Sequence, residues 1–227
     1  MDAVLNASSW LALVASISYY LAMTSPNPQI RQSERLVNTW VEWLILYRVL
    51  LLKLFVASTS FMHILNSLAL VELCSTDDSM GPNTSPASTM MILGGGLAFL
   101  SASLRLWCYA EMADLFDFEV NIKKTHRLVI TGPYSFVRHP GYIASLGVHL
   151  GVSMVMFSNS SWFYQCGLMH ALGVVCGCIW CTEMVLIHGV LILARMKVED
   201  KMLQRHFGRE WDQYAKRIPY RLLPKLY

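Results

Sequence analysis

Charge is scarce in this chain. Only 15% of its 227 residues are Asp, Glu, Lys or Arg, against about a quarter in an ordinary soluble domain. Hydrophobic residues make up 55%, and that balance excludes a water-soluble globular domain. No basic stripe interleaved with aromatics runs along any segment, which excludes nucleic acid as a partner. Internal repeats and low-complexity tracts are absent, and no second half-repeat supports a transporter. Six cysteines occur, and Cys176, Cys178 and Cys181 share one apolar run. With no matching Cys/His cluster elsewhere they read as small packing residues, and no metal is expected. No cleavable signal peptide is evident, so the first apolar run reads as a retained span.

Several apolar runs approach the length needed to cross ~30 Å of hydrocarbon. The first span runs from about Trp10 to Met23, or begins earlier, and stops at Ser25-Pro26-Asn27-Pro28. A second helix begins near Thr39, and Leu54 to Leu73 is long enough to cross. The third covers Met90 to Leu106 and ends at Arg105; the fourth covers Tyr142 to Phe157. Residues 161–194 are too long for one upright crossing and too short for two. They read as one long tilted helix, with a bent hairpin as the alternative. Gly94-Gly95-Gly96, inside a span, predicts close helix packing, and so do Gly173 and Gly177.

Thirteen of the eighteen Lys and Arg fall in residues 123–138 and 195–225, which places both segments on the cytosolic side. The loop from Cys74 to Thr89 has none. The three N-x-S/T sequons, at Asn6, Asn83 and Asn159, all fall on the opposite, lumenal side. The predicted fold class is therefore an all-α integral membrane protein. It has about five transmembrane helices and a cytosolic C-terminal helical cap. Residues 1–110 supply the N-terminal helices and residues 111–227 the catalytic region of one membrane domain.

Chemistry concentrates where the basic loop meets the fourth span, at Arg138-His139-Pro140-Gly141-Tyr142. Pro140 has no N–H to lose at the first turn of a helix. A helix start carries unpaired N–H groups and a positive dipole end, so it attracts a carboxylate or phosphate. Arg138 and Tyr142, four apart, can face one bound group. In the tail, Arg195, Glu199, Leu203 and Phe207 repeat every four residues on one helical face that ends near Gly208. Trp211, Tyr214 and Ile218 form a second apolar stripe. Glu183 and His188, deep in the last apolar run, mark either a relay or groups satisfied by each other, backbone or water.

Four runs taken together resemble one family. They are His126-Arg127-Leu128-Val129, Thr131-Gly132-Pro133-Tyr134, Arg138-His139-Pro140-Gly141-Tyr142, and Glu199-Asp200 followed by Phe207-Gly208-Arg209-Glu210. In order and spacing they resemble the isoprenylcysteine carboxyl methyltransferases over about residues 119–221. The resemblance implies an enzyme that uses S-adenosyl-L-methionine to methylate the C-terminal prenylcysteine of processed CaaX proteins. It implies a multi-pass protein of the endoplasmic reticulum membrane whose active site faces the cytosol, with the lipid bilayer as its other partner. Carried over, the cofactor-binding residues are His126, Arg127, Leu128, Val129, Tyr134, His139, Pro140, Gly141, Tyr142 and Glu199. Glu119 stands where a glutamine touches the cofactor. Arg195 becomes the substrate-binding arginine and, with Arg138, the catalytic pair. Trp211 stands where the family commonly has tyrosine, and the run before Arg195 is longer than in better-known members.

Two rivals share parts of this pattern. Membrane sterol reductases, which transfer a hydride from NADPH, contain R-H-P-x-Y and a terminal run like Trp211 to Tyr227. Phospholipid methyltransferases share the cofactor.

Overall fold

The computed structural model describes residues 6–28, 40–68, 87–117, 127–165, 175, 179, 182–183 and 189–224. Among the described residues the protein is helical and has no strand. The helices are α1 (Ala7–Ala22), α2 (Trp40–Ser67), α3 (Thr89–Met112), α4 (Pro140–Met156), α5 (Trp162–Gln165), α6 (Val190–Phe207) and α7 (Arg209–Arg217). Single 3-10 turns occupy Ala113–Leu115 and Gly132–Ser135.

Helix starts follow local chemistry. The Asn6 side chain accepts from the Ser9 N–H to cap α1, and the Ser88 hydroxyl accepts from the Met91 N–H to cap α3. Pro140 takes the first position of α4, where its missing N–H costs nothing. The first span thus begins before Trp10, and the fourth begins two residues before Tyr142.

The third differs from expectation at its end. Arg105 does not terminate it: α3 continues to Met112, with Arg105 only 6% exposed. The guanidinium can be buried because neighbouring elements supply acceptors. Its Nε donates to the Ala22 carbonyl at 3.0 Å and to the Tyr109 hydroxyl at 3.1 Å, and its Nη1 donates to the Gly141 carbonyl. A buried charge is tolerable when its hydrogen bonds are made.

The helices α1, α2, α3 and α4 share one core that includes Ala15, Tyr19, Val56, Met91, Ala98, Val148 and Val152. At the crossing of α3 and α4 the backbones nearly touch. A Cβ added to Gly94 would lie 2.6 Å from Met154 Cβ, and one added to Gly151 would lie 2.5 Å from the Ala98 nitrogen. A Cβ on Gly95 would strike Leu11 of α1, whereas one on Gly96 meets nothing within 4 Å among the described residues. Two of the three consecutive glycines therefore serve close packing. Gly173 and Gly177 lie outside the described residues.

The outer faces are as apolar as the core. Leu51, Leu54 and Phe61 on α2, and Leu93, Phe99 and Leu100 on α3, point outward, Leu100 with 67% exposure. Such surfaces suit lipid and not water. Among the described residues two helices are long and apolar enough to cross a membrane, Tyr47–Ser67 and Thr89–Leu115. The apolar helices α1 and α4 are shorter, at 16 and 17 residues. Most of residues 166–188, on which the fifth expected crossing depends, lie outside the described residues.

Candidate active site

The site is built where the end of α3, the start of α4 and the helix α6 converge. Glu111 near the end of α3 accepts from the Thr131 hydroxyl at 2.7 Å, which pins the loop before α4. Gly132 follows with φ +56°, and a Cβ there would strike the Glu111 carboxylate at 2.5 Å. Only glycine serves both demands. The next turn delivers Tyr134, whose hydroxyl donates to Met112 Sδ at 2.9 Å and whose carbonyl accepts from the Tyr214 hydroxyl at 2.8 Å. Burial raises the pKa of the Tyr134 hydroxyl well above its ordinary value and pushes that of Tyr214 up to about 12. Both hydroxyls therefore stay protonated and act as donors.

The Arg138-to-Tyr142 run is clamped from two sides. Its backbone pairs with the C-terminal segment: the Arg138 N–H donates to the Tyr220 carbonyl and the His139 N–H to the Arg221 carbonyl, each at 2.9 Å. Its side chains meet two adjacent acids of α6. Tyr142 donates its hydroxyl to Glu199. His139 turns Nε2 to Asp200 Oδ1 at 2.8 Å and Nδ1 to Glu199 Oε2 at 3.5 Å. Arg138 Nη1 donates to Asp200 Oδ2 at 3.1 Å, and Arg221 Nε donates to the same oxygen at 3.0 Å. The anion drawn to this helix start is thus internal: Glu199 and Asp200 fill that role, and Arg138 and Tyr142 each take a different one.

The electrostatics follow from the pairing. Burial alone would lower the His139 pKa, but hydrogen bonds to Asp200 and Glu199, and their charges, outweigh it and raise the pKa above the ordinary value. Burial would raise both carboxyls. Hydrogen bonding to His139 and its charge, with Arg195 beside Glu199 and with Arg138 and Arg221 beside Asp200, hold both below their ordinary values. The position of His139 between two carboxylates thus favours its imidazolium form.

A cavity of about 190 Å³ opens in this corner. Of the sequence-predicted residues, Arg127, Leu128, Val129, Tyr134, Arg138, His139, Gly141, Tyr142, Arg195 and Glu199 line it. Pro140 does not; it is buried at the start of α4 and aims its neighbours. Glu119 and His126 lie outside the described residues. On the tail helix Arg195, Glu199 and Leu203 face the cavity as their spacing predicts, and Arg195 Nε is 4.0 Å from Glu199 Oε1.

Four residues of the site do not follow from the sequence reading: Asp200, Arg105, Trp211 and Tyr214. In the sequence Asp200 is only the second acid of a pair, yet in the structure it gathers His139, Arg138 and Arg221. From the sequence Arg105 reads as a span end, yet it lines the cavity. Trp211 and Tyr214, read as an apolar stripe, close another wall, with the Arg138 guanidinium 6.0 Å above the Trp211 ring. The signal for Arg105 was an arginine inside an otherwise apolar run.

Residues 93–205 match the model of the isoprenylcysteine carboxyl methyltransferase (ICMT) family. The chain belongs to that family. The matched stretch of this methyltransferase-family chain holds most of α3, all of α4 and most of α6, and with them the greater part of the cavity wall. The same region is similar to named sterol reductases. A mouse Delta(14)-sterol reductase is 30% identical over 101 residues, covering 44% of this chain and 20% of the relative. A probable 7-dehydrocholesterol reductase of Acanthamoeba polyphaga mimivirus is 22% identical over 120 residues, covering 53% and 22%. A Delta(14)-sterol reductase of Methylotuvimicrobium alcaliphilum is 42% identical over 38 residues, covering 17% and 9%. The chain therefore spans about a fifth or less of the length of these curated relatives. The family domain is that of a membrane enzyme and is methyltransferase-like.

Proposed function

We propose that this protein transfers a methyl group from S-adenosylmethionine to the C-terminal carboxylate of a prenylated cysteine, at the cytosolic face of the endoplasmic reticulum membrane. The observation that carries the reading is the mixed lining of the cavity, within the matched family domain, beside apolar helices. Glu199, Arg195 and Arg127 offer charges of both signs, while Leu128, Val129, Met112 and Phe116 offer apolar surface. That set fits a cofactor with an amino-acid end, a flat base and a cationic sulfur. When bound, S-adenosylmethionine supplies a methyl group on positively charged sulfur. Glu199 and Tyr142 would hold its cationic part, and Leu128 and Val129 its apolar part.

A C-terminal carboxylate has a pKa near ~3.5, so it is already an anion at neutral pH and requires no general base. The protein has to pair with that anion, exclude water and align it. Arg195 is the better placed of the two arginines for this task. Arg138 is committed to Asp200 and to the Pro219 carbonyl, 3.1 Å from its Nη2, and serves to position the start of α4. Methylation removes the charge that Arg195 holds, so the product ester is released toward lipid.

The test compares a prenylcysteine acid with its carboxamide, scoring base-labile methyl esters from labelled S-adenosylmethionine. The acid accepts methyl and the amide does not. Arg195→Lys lowers the specificity constant at least about tenfold, because lysine cannot form the planar two-bond fork. Equal labelling of acid and amide overturns the reading. The second reading is NADPH-dependent reduction of a sterol double bond, supported by the 30% identity to a sterol reductase over the same domain. Loss of a sterol double bond with NADPH, and no ester, would establish it instead.

A further inference from the structure

The cavity wall is anchored to a helix outside the family-matched region. The end of α1 and the segment just beyond it make four hydrogen bonds to cavity-lining segments. Arg105 Nε and the Tyr109 hydroxyl both donate to the Ala22 carbonyl. Just beyond α1, the Asn27 amide donates to the carbonyls of Ala113 at 2.8 Å and Phe116 at 2.7 Å. Arg105 carries the link onward. Its Nη1 donates to the carbonyl of Gly141, the residue before Tyr142, and its guanidinium lies 5.4 Å and 5.8 Å from the ring centres of Tyr109 and Phe116. Gly141 is fitted to this neighbour: a Cβ there would sit 3.3 Å from Arg105 Nη1 and, among the described residues beyond its own helix backbone and chain neighbours, meet nothing else within 4 Å.

We propose that Arg105 is a positioning residue for the cofactor end of the cavity, acting through the Gly141 carbonyl and braced by the end of α1. A planar guanidinium can hold two carbonyls at a fixed separation, which fixes the first turn of α4 against α1 and α3. Tyr142, next in the chain, then meets Glu199. The role rests on reading the cavity as a cofactor pocket, and it brings into the site an element that precedes residue 93, where the family match begins.

The test is a double-mutant cycle on the full chain in detergent or nanodiscs, with wild type, Arg105→Gln, Gly141→Ala and the double variant, plus Arg105→Lys. Binding of S-adenosylmethionine and of NADPH is measured to each, alongside thermal unfolding. Arg105→Gln weakens binding of the cofactor that wild type takes by about tenfold. Turnover at saturating cofactor stays within about threefold of wild type, so the loss falls on KM and not kcat. Arg105→Lys recovers part of the loss. Gly141→Ala weakens binding alone and adds almost nothing to Arg105→Gln, because both disturb one contact. Wild-type affinity in a folded Arg105→Gln sample, or effects that multiply in the double variant, would overturn the role. If Arg105→Gln does not fold, Arg105→Lys replaces it in the cycle under the same criterion. Wild type that takes NADPH and not S-adenosylmethionine ends the methyltransferase reading, while the cycle is scored on NADPH.

Discussion

At the crossing of α3 and α4, Gly94 and Gly151 let two backbones meet, and small apolar groups fill the surroundings. At the start of α4 the same helix is held by Asp200, His139, Glu199 and Arg138. The first contact depends on shape and the second on charge. Shape tolerates no added atom but ignores pH. Charge tolerates small shifts but fails when one partner is removed. One helix thus has a middle that fixes where it lies and a tip that fixes what it presents.

The charge-held tip gives the largest expected effect. Asp200→Ala strands His139, Arg138 and Arg221 around a lost acceptor, and removing one member of a buried pair costs on the order of 3 kcal/mol. Chemical unfolding in detergent should show that loss together with weaker cofactor binding. Gly151→Ala attacks the shape-held middle. Its Cβ would meet backbone at 2.5–2.6 Å, and overpacking of this kind costs about 1–3 kcal/mol. Stability should fall whichever ligand is present, as the same unfolding measurement would reveal.

A milder contrast comes from pH. Glu199 and Asp200 have depressed pKa values, so their contribution is full above the ordinary carboxylate range near ~4 and is lost as pH falls through the lower folded values. The His139 pKa is raised, so its contribution is full below ~6.5 and is lost as pH rises through the raised folded value. Hydrogen exchange in α6 should speed up at both ends of that window while the middle of α4 is unchanged. The smallest effect is Gly96→Ala, whose Cβ meets nothing within 4 Å among the described residues. Relieved of glycine's flexibility, that variant should be as stable as wild type or firmer by no more than about 1 kcal/mol. Destabilisation would show that the crossing extends further along α3 than its glycines indicate.

Much of this contrast was legible beforehand. Pro140 at a helix start, the four-residue spacing of Arg195, Glu199 and Leu203, and the glycine run in α3 are local patterns, and each matches its place in the structure. The site residues on the loop before α4 came from the ordered motifs. What was not legible depends on approach in space. Arg105 looks like the end of a span because its partners, Ala22 and Gly141, are backbone carbonyls of other helices, and no side-chain pattern announces a carbonyl. Asp200 follows Glu199 directly, so along a helix it points to a different side. Only the return of the segment around Arg221 shows what it gathers.

The clamp between Arg138 and the C-terminal segment also sets a timetable. Arg138 and Pro219 stand 81 residues apart in the chain. At ~5–20 residues per second, roughly 4–16 s of synthesis separate them. The bundle of α1 to α4 is in place long before the last partner of His139 emerges. A chain cut before residue 216 keeps every one of those helices and both acids of α6, but lacks the Pro219, Tyr220 and Arg221 contacts that hold the start of α4. For this protein, assembling the helices and closing the site are separate events, and the second waits for the segment from Pro219 to Arg221.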